Sequence, residues 1–117
     1  GGMRQRAALL RTYLFSSEVA LLDEPFSALD AITKHKIHSW YLSIMNKIKM
    51  STLFITHDID EAILLSDRIY ILAGSPGKIA AQINVDLKNS QDKSYNNEEV
   101  IMSEKFIQYK REILKYL

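Results

Sequence analysis

The chain contains no cysteine. It therefore forms no disulfide and no thiolate metal site, and it leans toward a reducing compartment. It also lacks a dominant charge. Its 15 basic and 14 acidic side chains leave a formal net charge of +1, so nothing electrostatic favours nucleic acid as a partner. No apolar run nears the ~20 residues of a membrane span, and the N-terminus carries no signal-peptide pattern. No internal repeat is present. What remains is an ordinary globular composition, 47% hydrophobic and 25% charged over 117 residues. That balance excludes a disordered or collagen-like chain and sets the expectation of one soluble, cytosolic domain.

Apolar spacing orders the elements. Met3, Ala7, Leu10 and Leu14 recur on one face of a predicted helix, with Arg4, Arg6 and Arg11 on its other faces. The continuous run Val19–Leu22 predicts a strand buried on both faces, with Asp23 and Glu24 at its carboxyl end and Pro25 stopping it. Asp30 is a candidate N-cap for a helix over 31–49. Ile37, Tyr41, Ile44 and Ile48 stripe the inner face of that helix, with Trp40 alongside, and His35 and His38 read as its surface residues. Leu53–Ile55 predicts a second buried strand. Asp58 and Glu61 then form a capping box opening a short helix.

The periodicity changes after Asp67. Ile69–Leu72 and Ile79–Ile83 flank Gly74-Ser75-Pro76-Gly77, which predicts an antiparallel hairpin. Residues 86–97 are polar and read as a linker. A final amphipathic helix is expected over 98–117, with Ile101, Phe106 or the stem of Lys105, Ile113 and Leu117 inward.

Two buried strands joined by a helix predict a parallel unit, so the fold class is α/β. Ligands of such sheets bind at the carboxyl ends of the strands, where Asp23, Glu24 and His57 fall. Leu21-Leu22-Asp23-Glu24 has the form of an element that delivers a carboxylate to Mg²⁺ on a nucleotide. The alternative is a strand followed by solvated acids at a turn. For His57 the alternative is a capped loop histidine.

Three segments taken together are similar to ABC-transporter ATPases: Gly1-Gly2-Met3-Arg4-Gln5-Arg6, Leu22-Asp23-Glu24-Pro25-Phe26-Ser27-Ala28-Leu29-Asp30, and Ile55-Thr56-His57-Asp58. They resemble, in order and spacing, the tail of that family's signature motif, its Walker B element with D-loop, and its switch histidine. Phe26, Asp30-Ala31-Ile32-Thr33, Thr56 to Ala62 and Pro76-Gly77-Lys78-Ile79 look like the nitrate/sulfonate/taurine importer branch. The resemblance covers residues 1–83 densely.

The resemblance implies a P-loop NTPase fold, ATP and Mg²⁺ as ligands, and a role for each matching residue. Asp23 would hold Mg²⁺, and Glu24 would act as general base. His57 would hydrogen-bond the γ-phosphate. Gly1 and Gly2 would meet the nucleotide of the opposite subunit, helped by the positive end of a helix. The alternatives there are a plain helix start or an expression scar. Ser27 and Asp30 would lie in the D-loop at a dimer seam, a role compatible with N-capping by Asp30. Gln5 and Arg6 would face the membrane partner or the neighbouring sheet. Implied partners are a second ATPase subunit, an integral-membrane permease and, indirectly, a solute-binding protein, at the cytoplasmic face of the cell membrane.

The chain departs from the family by having no G-x-x-x-x-G-K-[ST] segment, the loop that cradles phosphates. The expectation is therefore a C-terminal part of an ATPase domain, residues 1–85 within that domain and 86–117 a linker and helix. By itself this part is expected to be inactive. Two further functions stay open: a soluble non-transport ABC ATPase, and a truncated non-catalytic assembly module. The lack of coiled-coil heptads and basic patches speaks against the first of these.

Overall fold

The strand runs and capping residues assemble as expected into a mixed α/β chain. A computed structural model describes residues 2–15, 19–48, 51–87 and 103–117. The elements are α1 (Gly2–Phe15), β1 (Val19–Asp23), α2 (Ala31–Met45), β2 (Ser51–Ile55), α3 (Ile59–Leu65), β3 (Arg68–Ala73), β4 (Lys78–Asn84) and α4 (Glu104–Leu114). They group into two compact units, Gly1–His57 and Asp58–Leu117.

In the first unit β1 and β2 pair in parallel, in register from Val19 opposite Ser51 to Asp23 opposite Ile55. The expectation that both strands are buried on both faces is corrected. Cβ atoms alternate across a strand. Ala20 is buried and Leu22 and Phe54 are half-buried on one face, while Val19, Leu21, Leu53 and Ile55 stay exposed on the other, Leu21 at 71%. An unbroken apolar run permits two covered faces, but only a second packed layer supplies them.

Helix α2 starts where its cap dictates. The Asp30 carboxylate accepts the Thr33 N–H at 2.9 Å and the Thr33 hydroxyl at 2.9 Å. These bonds hold the Asp30 carboxyl below its ordinary pKa, the backbone N–H contributing most. The helix ends at Met45, short of the expected residue 49, with Asn46 as C-cap. Its buried residues are Ile37, His38 and Tyr41. The surface position expected for His38 is thus overturned, because its ring packs edge-on against Phe26. His35 is exposed.

Helix α1 turns a different face inward from the one its apolar count suggested. Leu9 is buried, whereas Met3 and Leu10 are exposed. Gln5 and Arg6 are half-buried, and the Arg6 guanidinium lies 5.4 Å from the centroid of Trp40 on α2. A cation over an indole face is attractive, and the arginine stem is itself apolar. That contact, not an aliphatic stripe, accounts for the half-buried place of Arg6.

In the second unit the N-cap half of the predicted capping box is seen, since Asp58 Oδ1 accepts the Glu61 N–H at 3.1 Å. Ile63, Leu64 and Leu65 of α3 are buried, as are Ile69, Ile71 and Ile83 of the antiparallel β3–β4 hairpin. Gly74, at φ +89, sits in the hairpin turn, a backbone region that residues with a Cβ rarely adopt. Ser103 caps α4, which packs on α3. Phe106 and Ile113 are its buried residues, and Lys110 pairs with Asp60 at 2.8 Å. Leu117 is exposed, contrary to its predicted inward place, and Lys105 reaches out to the Asp86 carbonyl at 2.9 Å. The linker prediction and Ile101 lie outside the described residues, apart from the start of the linker at Asp86 and Leu87. No helix among the described residues is long and apolar enough to cross a membrane.

Candidate functional site

The carboxyl ends of β1 and β2 carry the residues that sequence reasoning selected. Asp23 is the last residue of β1, exposed and in register with Ile55. The chain then reverses at Glu24, whose N–H still donates to the Ile55 carbonyl at 2.8 Å. Glu24 has φ +48, a left-handed backbone at a residue with a full side chain. Such a conformation is unfavourable for L-residues and persists only where surrounding contacts over-determine it.

Those contacts are specific. Glu24 Oε1 accepts the His57 backbone N–H at 3.0 Å and lies 2.7 Å from His57 Nδ1. The Glu24 carbonyl accepts both the N–H and the hydroxyl of Ser27, at 3.3 and 3.1 Å. Gln5 Nε2 makes a long 3.5 Å approach to the Pro25 carbonyl. The Glu24 side chain is 30% exposed and that of His57 83%, so the pair sits at the surface with the imidazole facing solvent.

This arrangement has a chemical consequence. When Nδ1 donates its proton to Glu24, Nε2 of a neutral imidazole can only accept; it donates only in the imidazolium form. The pair therefore couples the hydrogen-bonding sense of His57 Nε2 to its protonation. The carboxylate also lies in hydrogen-bond contact with a group able to relay a proton.

Asp23, Glu24, Ser27 and His57 thus meet at one strand edge. Asp30 does not join them, because both its carboxylate oxygens are engaged at the start of α2. Gly2 opens α1. Gly1 lies outside the described residues. No group of three His, Asp or Glu that could hold a metal ion occurs among the described residues. Asp23 does fit a Mg²⁺ carried by a polyphosphate, since that hard ion binds through one or two carboxylates plus phosphate oxygens and water. Sequence reasoning missed the left-handed Glu24 and the aromatic seat of His38. No local signal marks either one: a left-handed glutamate has no composition cue, and a lone helical histidine gives no sign of its neighbours.

Comparison with known proteins bears on what this strand edge does. The chain is 48% identical over 94 residues to the formylaminopyrimidine import ATP-binding protein ThiZ of Halalkalibacterium halodurans, covering 79% of this chain and 38% of that one. It is 37% identical over 118 residues to the nitrate import ATP-binding protein NrtD of Synechocystis sp., covering 100% and 44%. It is 42% identical over 111 residues to the aliphatic sulfonates import ATP-binding protein SsuB of Bacillus cereus, covering 95% and 44%. The chain belongs to the ABC transporter ATP-binding proteins. It spans about two fifths of the length of these relatives. No family model matches it. These three relatives are import ATP-binding proteins, which agrees with the importer branch expected from Phe26 and the segments at Asp30, Thr56 and Pro76.

Proposed function

We propose that the intact protein containing this chain is the ATP-binding and hydrolysing subunit of an ABC importer for a small anion or sulfonate-type solute. The observation that carries the reading is the Glu24–His57 pair beside Asp23, at the carboxyl ends of two parallel strands. The import relatives support it.

In this reading Asp23 holds the Mg²⁺ that accompanies ATP. Bound Mg²⁺ neutralises phosphate charge, which phosphoryl transfer requires. Glu24 orients and deprotonates the attacking water. His57, as the imidazolium, donates Nδ1–H to Oε1 of Glu24 on one side of its ring and Nε2–H to the γ-phosphate on the other. Gly1 and Gly2, with Ser27 and Asp30 beyond the turn, serve the face shared with a second ATPase subunit. An integral-membrane permease and, indirectly, a solute-binding protein complete the assembly at the cytoplasmic face of the cell membrane.

The test is Glu24→Gln in the intact protein. Glutamine keeps an oxygen for the His57 N–H and removes only the basic charge. Loss of a positioned general base costs roughly 10²–10⁴-fold in rate. ATP hydrolysis is expected to fall by that amount while ATP binding is retained. Turnover within a few-fold of the parent protein would remove Glu24 from the chemistry.

A further inference from the structure

We infer that Phe26 is a positioning residue for Glu24, seated by His38 and Tyr41. The inference rests on the reading of Glu24 as the base. The turn after β1 holds Glu24 in a left-handed conformation at φ +48, and such a conformation needs an anchor nearby. Around it, Ser27, Ala28 and Asp30 are exposed, and Glu24, Pro25 and Leu29 are half-buried. Phe26 alone in this turn is buried, at 1%. Its ring meets the imidazole of His38 edge-on, with centroids 5.1 Å apart and planes at 82°. It meets the Tyr41 ring in the same manner at 5.8 Å and 79°.

These edge-to-face contacts fix the direction of the ring as well as its depth. Phe26 is two residues from Glu24, and its carbonyl accepts the Leu29 N–H while Ser27 closes on the Glu24 carbonyl. The turn is therefore held at its middle by α2 and at its start by β2. The grip on α2 also accounts for the buried place of His38, which the catalytic reading leaves without a role. A carboxylate that must reach a water has little tolerance for drift, since misplacement by about 1 Å can cost 10²-fold. Phe26 thus sets where Glu24 acts, without touching the reacting atoms.

The experiment is a double-mutant cycle in the intact protein. Phe26→Leu keeps an apolar side chain but removes the ring. It is expected to lower kcat roughly 10- to 100-fold with the KM for ATP within about threefold, the protein remaining folded by circular dichroism. Combined with Glu24→Gln, it should add little further loss, because a residue acting through Glu24 has no effect once the base is gone. Should Phe26→Leu fail to fold, Tyr41→Leu removes one ring edge from the same seat and enters the same cycle. Multiplying losses in the double variant would overturn the inference while leaving Glu24 as base. So would an unchanged kcat in a folded single variant. Parent-like turnover in Glu24→Gln would instead remove the base assignment, and Phe26 with it.

Discussion

Replacing Glu24 once by alanine and once by glycine isolates the backbone cost stored at the site. Both variants lose the same carboxylate, and hence the same contacts to the His57 N–H and imidazole at 3.0 and 2.7 Å. They differ only in how they tolerate φ +48. A residue with a Cβ is disfavoured there by about 1–2 kcal/mol. Glycine escapes that cost but loses roughly 0.5–1 kcal/mol more conformational freedom on folding. The difference, centred near ~0.8 kcal/mol, leaves the glycine variant more stable than the alanine variant. In a helix interior the order is the reverse, by a similar amount. The assay is urea and thermal unfolding of the intact protein in both forms, with ATP hydrolysis measured alongside. About 1 kcal/mol corresponds to ~2–4 °C in a domain of 150–250 residues. Hydrolysis should be equally low in the two. An alanine variant as stable as the glycine variant, or more so, would refute the claim that Glu24 carries strain.

Three other predictions follow from the caps and from the missing phosphate cradle. The folded-state pKa of Asp30 is depressed below its ordinary 3.8. Its capping contribution is therefore complete above that value and is lost as pH falls through the lower folded value. Hydrogen exchange at the Thr33 amide should accelerate over that acid range, and an Asp30→Asn protein should show a flatter profile. Asp58→Ala removes the acceptor of the Glu61 N–H and should cost about 1 kcal/mol, read as a lower urea midpoint, with Asp58→Ser recovering most of it. Finally, calorimetric titration of the 117-residue chain with Mg-ATP should show no tight binding. A triphosphate needs several N–H donors and a cation converging on it, and the chain has no G-x-x-x-x-G-K-[ST] segment. Micromolar affinity would contradict that argument.

Local chemistry is where the sequence was most legible. The strand runs of β1 and β2, the hairpin around Gly74, and the Asp30 and Asp58 caps all depend on short-range pattern. Each is set by the alternation of apolar residues, by a carboxylate reaching an N–H three residues on, or by a glycine and proline at a turn. The candidate site was legible as a set of residue types for the same reason, since Asp23 and Glu24 had to emerge where an apolar strand ends. Tertiary structure decided what each face meets. Among the described residues nothing covers one side of the strand pair, so Leu21 and Leu53 stay exposed despite their apolar runs. The tertiary structure set Arg6 against Trp40, and it placed His38 against Phe26. It also brought Glu24 and His57 into hydrogen-bond contact from positions 33 residues apart. Burial and contact depend on which element packs where, and that is a property of long-range arrangement. A periodic pattern specifies which side chains share a face, but not what, if anything, will cover it.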